Sequence, residues 1–144
     1  MTQADTRSRI LALDLGERRT GVAISDELGI AAHTRPAIHH QSRAALVEAV
    51  RALVDSEAAS EVVVGLPLAL SGGDSSQTAA AREFVAELEA ALSVPVTTWD
   101  ERLSSVQASR NVKGDSRRKS GELDSAAAAI VLQTVLESRR GFVL

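Results

Sequence analysis

The sequence predicts an α/β protein built on a mixed five-stranded sheet with three antiparallel strands, two parallel strands and flanking helices. In the first third of the chain, apolar segments are joined by connectors that suit antiparallel hairpins and are too short for a parallel crossover. After residue 42 the hydrophobic period changes, and segments with helical spacing alternate with short apolar runs. This alternation is typical of βα units, in which helices cover a sheet that contains parallel strands.

The three antiparallel strands are predicted at residues 9–14, 20–25 and 30–38. The first is an apolar run that ends in an acid, Asp14. Residues 15–19 are rich in turn-forming types and contain a glycine, so they are expected to form the first hairpin connection.

The parallel part begins with a helix that starts after Ser42, a residue type that caps helix N-termini. The run at 61–65 is short and almost entirely apolar, as in a buried parallel strand. A second helix is predicted at 77–92 and a fifth strand at 94–99. The early Pro95 in that strand fits an edge position or a strand start.

The last third is predicted to hold a short helix that begins near Ser104 and a final helix at 122–138. Residues 113–121 between them are polar, basic and glycine-containing, so we expect a mobile loop there. The segment from Ser71 to Ser76 resembles a phosphate-binding loop only in composition, and a flexible linker is the simpler interpretation.

Composition places the chain among small intracellular proteins. Its 144 residues suit one domain at 9–144, preceded by a flexible leader at 1–8. There is no cysteine, which excludes disulfides and thiolate metal sites. The first ten residues are polar, no apolar signal core follows them, and no run reaches the roughly 20 apolar residues of a transmembrane helix. The sequence therefore predicts a cytoplasmic protein with no membrane partner.

The net charge of −3 conceals a strong asymmetry along the chain. Residues 48–101 carry ten acids against two bases, whereas residues 102–144 carry eight bases against four acids. A phosphate backbone responds to the nearest charged face, so the basic segment favours a nucleic-acid partner. A solvated surface loop is the alternative explanation. Lys113, Arg117, Arg118 and Lys119 together form the segment termed the basic loop.

Three acids, Asp14, Glu101 and Asp124, are the candidate catalytic residues. Singly, each has an ordinary explanation as a turn, surface or helix-start residue. If the first strand is central and the two later strands run parallel to it, Asp14 and Glu101 emerge at the same edge of the sheet. The alanines at 126–129 let the final helix approach the sheet closely and bring Asp124 towards the other two acids.

Converging carboxylates repel each other, and hard divalent cations relieve that repulsion. Oxygen ligands favour Mg²⁺ or Mn²⁺ over metals that prefer thiolates. Two such ions about 3.5–4 Å apart activate water and stabilise the leaving oxygen of a phosphodiester. The three acids therefore predict a metal-dependent nuclease that holds two ions when substrate is bound.

Four motifs in order resemble the YqgF (RuvX) family. Residues 11–26 closely resemble its opening motif, and residues 63–68 with Gly72 or Gly73, residues 100–105 and residues 123–133 are similar to the other three. The resemblance spans residues 10–136, and it implies a ribonuclease H-like fold. Members of the family are described as Holliday junction resolvases and as nucleases that trim the 16S ribosomal RNA precursor, and the family's acids match Asp14, Glu101 and Asp124.

Two departures from the family pattern affect the predicted site. The loop at 68–71 lacks the Asn or Asp that the family often places there, so a polar substrate contact is missing. Ribonuclease H-like sites often carry a fourth acid one helical turn after the last one, and the equivalent positions here are Ala127 and Ala128. The predicted site therefore has three carboxylates, with low affinity for a second metal ion.

The predicted nucleic-acid contacts lie in the hairpin after Asp14, in the motif around Glu101 and in the basic loop. In the hairpin, glycine allows close backbone approach and arginines grip phosphate oxygens. Trp99 is interpreted as a core residue, and His33, His39 and His40 as surface or edge residues. The predicted contacts are Gly16, Arg18, Arg19, Arg102, Ser104, Lys113, Arg117, Arg118 and Lys119.

Two other functions stay open on the sequence alone. Residues 14–23 also resemble the first phosphate loop of sugar kinases and actin-like ATPases, but those proteins close two such domains around ATP. A non-catalytic nucleic-acid module is the second alternative, although clustered acids would not help it to bind phosphate. Neither branched DNA nor precursor ribosomal RNA is selected by any residue, and a homodimer is possible without an evident dimer face.

Overall fold

The computed structural model describes residues 9–69, 71, 73–106 and 120–141, with side chains from residue 125 onward in the last range. The predicted leader at 1–8 and the basic loop lie outside the described residues. The described elements, in chain order, are β1 Ile10–Asp14, β2 Arg19–Ser25, β3 Ala32–His39, α1 Arg43–Glu57, β4 Glu61–Leu66, α2 Ser76–Ala91, β5 Val96–Asp100, a 3₁₀ turn Glu101–Leu103 and α3 Ser120–Arg139.

The strands form one sheet in the order β3-β2-β1-β4-β5. β1 pairs antiparallel with β2, which pairs antiparallel with β3, while β4 lies parallel to both β1 and β5. The predicted mixed sheet is confirmed, and β1 is its central strand. As a result, the C-terminal ends of β1, β4 and β5 open at the same edge.

Each face of the sheet is covered by helices. On one face, Leu11 and Leu13 of β1 pack in a buried cluster with α1 and α2 residues such as Leu46 and Phe84. On the other, Ala12 lies in a second buried cluster with α3, which contributes a further set of apolar side chains, Ala127, Ala128, Val131, Leu132, Val135 and Leu136. Because the residues of β1 alternate between the faces, Asp14 lies on the same face as Ala12, which is the face covered by α3.

The element boundaries differ from prediction where local turns compete with the strands. Residues 30 and 31 close the β2–β3 turn: the Asp26 carboxylate accepts from the Ile30 N–H at 2.8 Å, and Gly29 has a φ of 71°. β3 therefore starts at Ala32. β5 starts at Val96, after Pro95, which has no N–H to donate to a ladder. The predicted helix near Ser104 is preceded by the 3₁₀ turn, and Val106 has helical backbone.

Among the residues that the structure describes, no helix combines the length and apolarity needed to cross a membrane.

Candidate active site

Asp14 is the last residue of the central strand, and its side chain is 6% exposed. Its partner on β2 is Gly21, and one residue beyond the Leu13–Val64 pair its neighbour on β4 is Gly65. Asp14 thus has a glycine on either side, so neither directly flanking position places a Cβ atom beside its carboxylate.

Glu101 fills the space above one of these glycines. It begins the 3₁₀ turn directly after β5, and its side chain is 1% exposed. A Cβ atom added to Gly65 would lie 2.6 Å from Glu101 Oε2 and 3.2 Å from its Cγ. The Glu101 carboxylate therefore lies directly over β4, on the face that holds Asp14, and neighbouring strands are only about 4.8 Å apart. The structure brings these two predicted acids together.

The turn that carries Glu101 is fastened on both sides. The Asp100 carboxylate accepts from the Arg102 N–H at 2.9 Å and from its Nη2 at 2.6 Å. These bonds from Arg102 hold the pKa of Asp100 below its usual value. The Ser104 hydroxyl donates to the Glu101 carbonyl at 3.1 Å. Both predicted nucleic-acid contacts in this motif, Arg102 and Ser104, have intramolecular partners here, and their contact with substrate stays a prediction.

Asp124 lies in the first turns of α3, and the structure describes its backbone but not its side chain. The next residue, Ser125, is 2% exposed, and its hydroxyl donates to the Arg35 carbonyl at 2.7 Å and accepts from the Val22 N–H at 3.3 Å. These bonds form where the β2–β3 register shifts between Thr20 and Val22, so Ser125 replaces a missing rung of the ladder. The backbone of Asp124 is thereby held beside β2, next to the level of Gly21 and Asp14.

The close approach predicted for α3 is confirmed. Ala127 and Ala128 are 6% and 0% exposed and pack on the sheet in the second buried cluster. These positions match the fourth acid of related sites, and here they are filled by the core. Among the described side chains no group of three acids or imidazoles reaches metal-binding geometry, and Asp124 is not part of that set.

The hairpin after Asp14 has a conformational reason for its glycine. A Cβ on Gly16 would lie 2.2 Å from the Arg19 carbonyl oxygen, so only glycine fits this turn. Arg18 is exposed and Arg19 is half-buried at the start of β2. Gly16 therefore shapes the loop that places both arginines at the site's edge, while direct contact of these residues with phosphate stays a prediction.

Two residues that position the site, Gly65 and Ser125, were not singled out from the sequence. Both lie inside motifs that resemble those of the family, and each lies close to a candidate acid. Gly65 matters because the absence of a Cβ leaves room for the Glu101 carboxylate. Ser125 matters because it hydrogen-bonds the two strands at a register shift, which has no sequence signature. Trp99, by contrast, packs against the second cluster as predicted, and its buried Nε1 has no hydrogen-bond partner among the described residues.

Comparison with known proteins identifies close relatives over most of the chain. A relative from Koribacter versatilis (strain Ellin345) is 46% identical over 134 residues, which cover 91% of this chain and 88% of the relative. One from Halothermothrix orenii (strain H 168 / OCM 544 / DSM 9562) is 39% identical over 131 residues, which cover 89% and 94%. Both carry the name "Putative pre-16S rRNA nuclease".

Among solved structures, Thermus thermophilus RuvC in complex with Holliday junction substrate matches with a TM-score of 0.56 at 15% identity, covering 94% of this chain and 98% of that one. At that identity the match shows a shared ribonuclease H-like fold alone. Residues 8–138 match the family described as "RuvX: Holliday junction resolvase". The chain belongs to the RuvX family.

Proposed function

We propose that this chain is a divalent-metal-dependent endonuclease that hydrolyses phosphodiester bonds in structured nucleic acid. The observation that carries the proposal is the position of the Glu101 carboxylate, which is 1% exposed and lies over Gly65 next to Asp14. Burying two carboxylates side by side is costly for a protein unless they serve a ligand or a partner. Membership of the RuvX family supports nuclease chemistry as the use of that arrangement.

The donor set fits Mg²⁺ or Mn²⁺. Asp14 and Glu101 offer hard carboxylate oxygens at one edge of the sheet, and the whole chain contains no cysteine. With Asp124 they would hold the metal ions. When bound, such ions generate a nucleophilic water and stabilise the leaving oxygen of a phosphodiester.

The chain itself contributes position and charge. Burial fixes the two acids, and the Asp100–Arg102 ion pair at 2.6 Å holds the turn that presents Glu101. The arginines of the hairpin, Arg18 and Arg19, would bind phosphate oxygens at the edge of the site. The basic loop, outside the described residues, would add sequence-independent phosphate contacts and strong salt dependence.

The substrate to test first is the 16S ribosomal RNA precursor, because the relatives at 46% and 39% identity carry that substrate in their names. A four-way DNA junction is the second, because the solved RuvC complex with the same fold holds one. Both present phosphodiesters to the same acids, so we treat them as alternative substrates of one site. Assembly into a homodimer stays a prediction.

The proposal is tested by cleavage of both substrates with Asp14→Asn and a matched control. Asp14→Asn removes one ligand charge, and we expect cleavage to fall by at least about a hundredfold while folding is retained. The control is Asp55→Asn, which makes the same chemical change on an exposed position of α1. Cleavage should also require Mg²⁺ or Mn²⁺, stop with a chelator, and be poorly supported by Ca²⁺.

Three results would contradict the proposal. Wild-type turnover by folded Asp14→Asn would remove Asp14 from the site. Full cleavage in excess chelator would exclude the metal-dependent mechanism. Tight nucleic-acid binding that needs no metal, gives no cleavage and is unchanged in Asp14→Asn would instead identify a non-catalytic binding module.

A further inference from the structure

A cross-strand pair of basic residues lies at the same end of the sheet as Asp14. Arg19, the first residue of β2, is in register with His39, the last residue of β3. The pairing is closed beyond this point by a hydrogen bond from the His40 N–H to the Arg18 carbonyl at 2.9 Å. His39 therefore has a fixed backbone position beside the hairpin that follows Asp14.

This pair faces the same side of the sheet as the acids. Arg19 lies two residues from Gly21, the partner of Asp14, and residues two apart on a strand share a face. Directly paired residues on neighbouring strands also share a face, so His39 follows Arg19. The intervening residue confirms the alternation, because Ile38, the partner of Thr20, packs on the opposite face against the α1–α2 cluster.

The separation from Asp14 follows from sheet geometry. His39 is two strands across and two residues along from Asp14, which places the two Cα atoms about 12 Å apart. A stacked nucleic-acid strand rises about 3.4 Å per nucleotide, so this distance corresponds to roughly three nucleotides. A strand whose scissile phosphate lies at Asp14 can therefore reach His39 without bending.

Two exposed basic side chains, Arg18 and His39, lie at this end of the sheet. Arg18 is exposed and has no carboxylate within ion-pair distance among the described residues; the one acid in its turn is the exposed Glu17. His39 is exposed as well. Several other described arginines, among them Arg9, Arg35, Arg82 and Arg139, form carboxylate ion pairs.

The neighbouring histidine has a different task. His40 Nε2 lies 2.9 Å from the hydroxyl of Thr20, which is fully buried. Burial lowers the pKa of His40, with Arg43 and His39 adding to the effect. A neutral, half-buried His40 thus fixes the end of β3 through its hydrogen bond with Thr20, whereas His39 is exposed at the surface.

We propose that His39, beside Arg19, is a phosphate-binding subsite for the substrate strand about three nucleotides from the scissile phosphate. The strand then leaves the acids across the ends of β2 and β3, not across β5. This inference rests on the proposed function for its substrate, and it adds a residue and a direction to it. His39 binds the strand equally before and during cleavage, so it is a binding residue and not a catalytic one.

The test compares charge changes at two histidines of β3. His39→Lys and His39→Ala are paired with His33→Lys and His33→Ala, since His33 is also exposed and lies about 20 Å away along the same strand. At about 0.1 M salt that distance exceeds the Debye length. Binding is measured in the Asp14→Asn background by anisotropy of a labelled single-stranded RNA that spans the precursor's 5′ processing region, as a function of salt.

A permanent charge at a phosphate contact steepens the salt dependence. The slope of log affinity against log salt should be steeper for His39→Lys than for His39→Ala by about 0.7–0.9, the value for one contact. The two His33 variants should have equal slopes. In the Asp14-containing enzyme, His39→Ala should raise KM several-fold and leave kcat unchanged.

The two hypotheses fail in different ways. If the wild-type chain cleaves RNA with Mg²⁺ and the His39 variants have the same slopes as the His33 variants, the subsite is wrong and the nuclease stands. If the wild-type chain cleaves neither RNA nor a junction but the slopes differ at His39 alone, the nuclease is wrong and the phosphate site stands. A fall in kcat with unchanged KM in His39→Ala would also overturn the assignment of a binding role.

Discussion

Replacing Gly65 with alanine tests whether the site depends on a missing side chain. The new Cβ would lie 2.6 Å from Glu101 Oε2, 3.2 Å from Cγ and 3.3 Å from Cδ. Ordinary contact begins at 3.4 Å, so Oε2 must retreat by about 0.8 Å. Because Glu101 is 1% exposed, its carboxylate has little room to move as a whole, and the retreat displaces it from Asp14.

The expected loss is large for activity and modest for stability. A misplacement of about 1 Å at a catalytic group costs up to roughly a hundredfold in rate, or about 2.7 kcal/mol of transition-state stabilisation. We therefore expect kcat to fall between about 10- and 100-fold. Overpacking destabilises the folded protein by about 1–3 kcal/mol. Replacing glycine with alanine also lowers the entropy of the unfolded chain, which offsets about 0.4–1 kcal/mol of that loss.

The assay is single-turnover cleavage with Mg²⁺, accompanied by urea unfolding of each variant. Gly73→Ala is the matched control, because a Cβ there meets its nearest neighbour, Ser71 Oγ, at 3.7 Å. Combining Gly65→Ala with Glu101→Asp shortens the displaced carboxylate by one methylene. The double variant should lose less activity than the two single losses predict together. A folded Gly65→Ala enzyme with wild-type kcat would refute the argument that this gap positions Glu101.

Two further predictions concern the attachment of α3. Ser125→Ala leaves the Val22 N–H and the Arg35 carbonyl without their partner, so urea unfolding should show that the free energy of unfolding falls by about 2–4 kcal/mol. The value of kcat should also fall, because the backbone of Asp124 is no longer held, and unchanged stability would contradict this prediction. The hydrogen bond from Arg139 lowers the pKa of Glu61 below 4.5, so its stabilisation is present at neutral pH and is lost as the pH falls through the folded-state pKa. Glu61→Gln should therefore destabilise the protein more at pH 7 than at pH 3, and an equal loss at both values would exclude this linkage.

The sequence predicted the sheet well because hydrophobic period and connector length are local signals. The five strands and their antiparallel and parallel directions are confirmed, and β1 has the central place on which the argument for the acids depended. The predicted boundaries of β3 and β5 differ from the observed ones by one or two residues. At β3 the turn stabilised by the Asp26 carboxylate sets the first paired residue, and at β5 the missing N–H of Pro95 does so. Such choices depend on competing hydrogen bonds that periodicity does not register.

The candidate acids were also accessible from sequence, whereas their supports were not. Asp14 and Glu101 follow strands whose parallel ends meet, so topology alone places them at one edge. The ion pair between Asp100 and Arg102 gives Arg102 a structural role that the sequence did not indicate, and its contact with substrate stays a prediction. The bond from Ser125 to the bulged ladder joins residues 90 and 103 positions apart, and no local pattern predicts it.

Each of the three candidate acids is held in place by a different part of the structure. The turn with Glu101 is held by Arg102 and lies over the gap at Gly65, whereas α3 is held by Ser125 at the ladder between β2 and β3. The two attachments share no side chain, so loss of one should displace one acid and leave the other two in register. Asp14 itself is fixed by the central strand, which is paired on both sides. A variant at Gly65 and one at Ser125 should therefore have additive effects on folding stability, because their contacts are separate, and strongly non-additive effects on cleavage, because either displacement alone already breaks the same three-acid site.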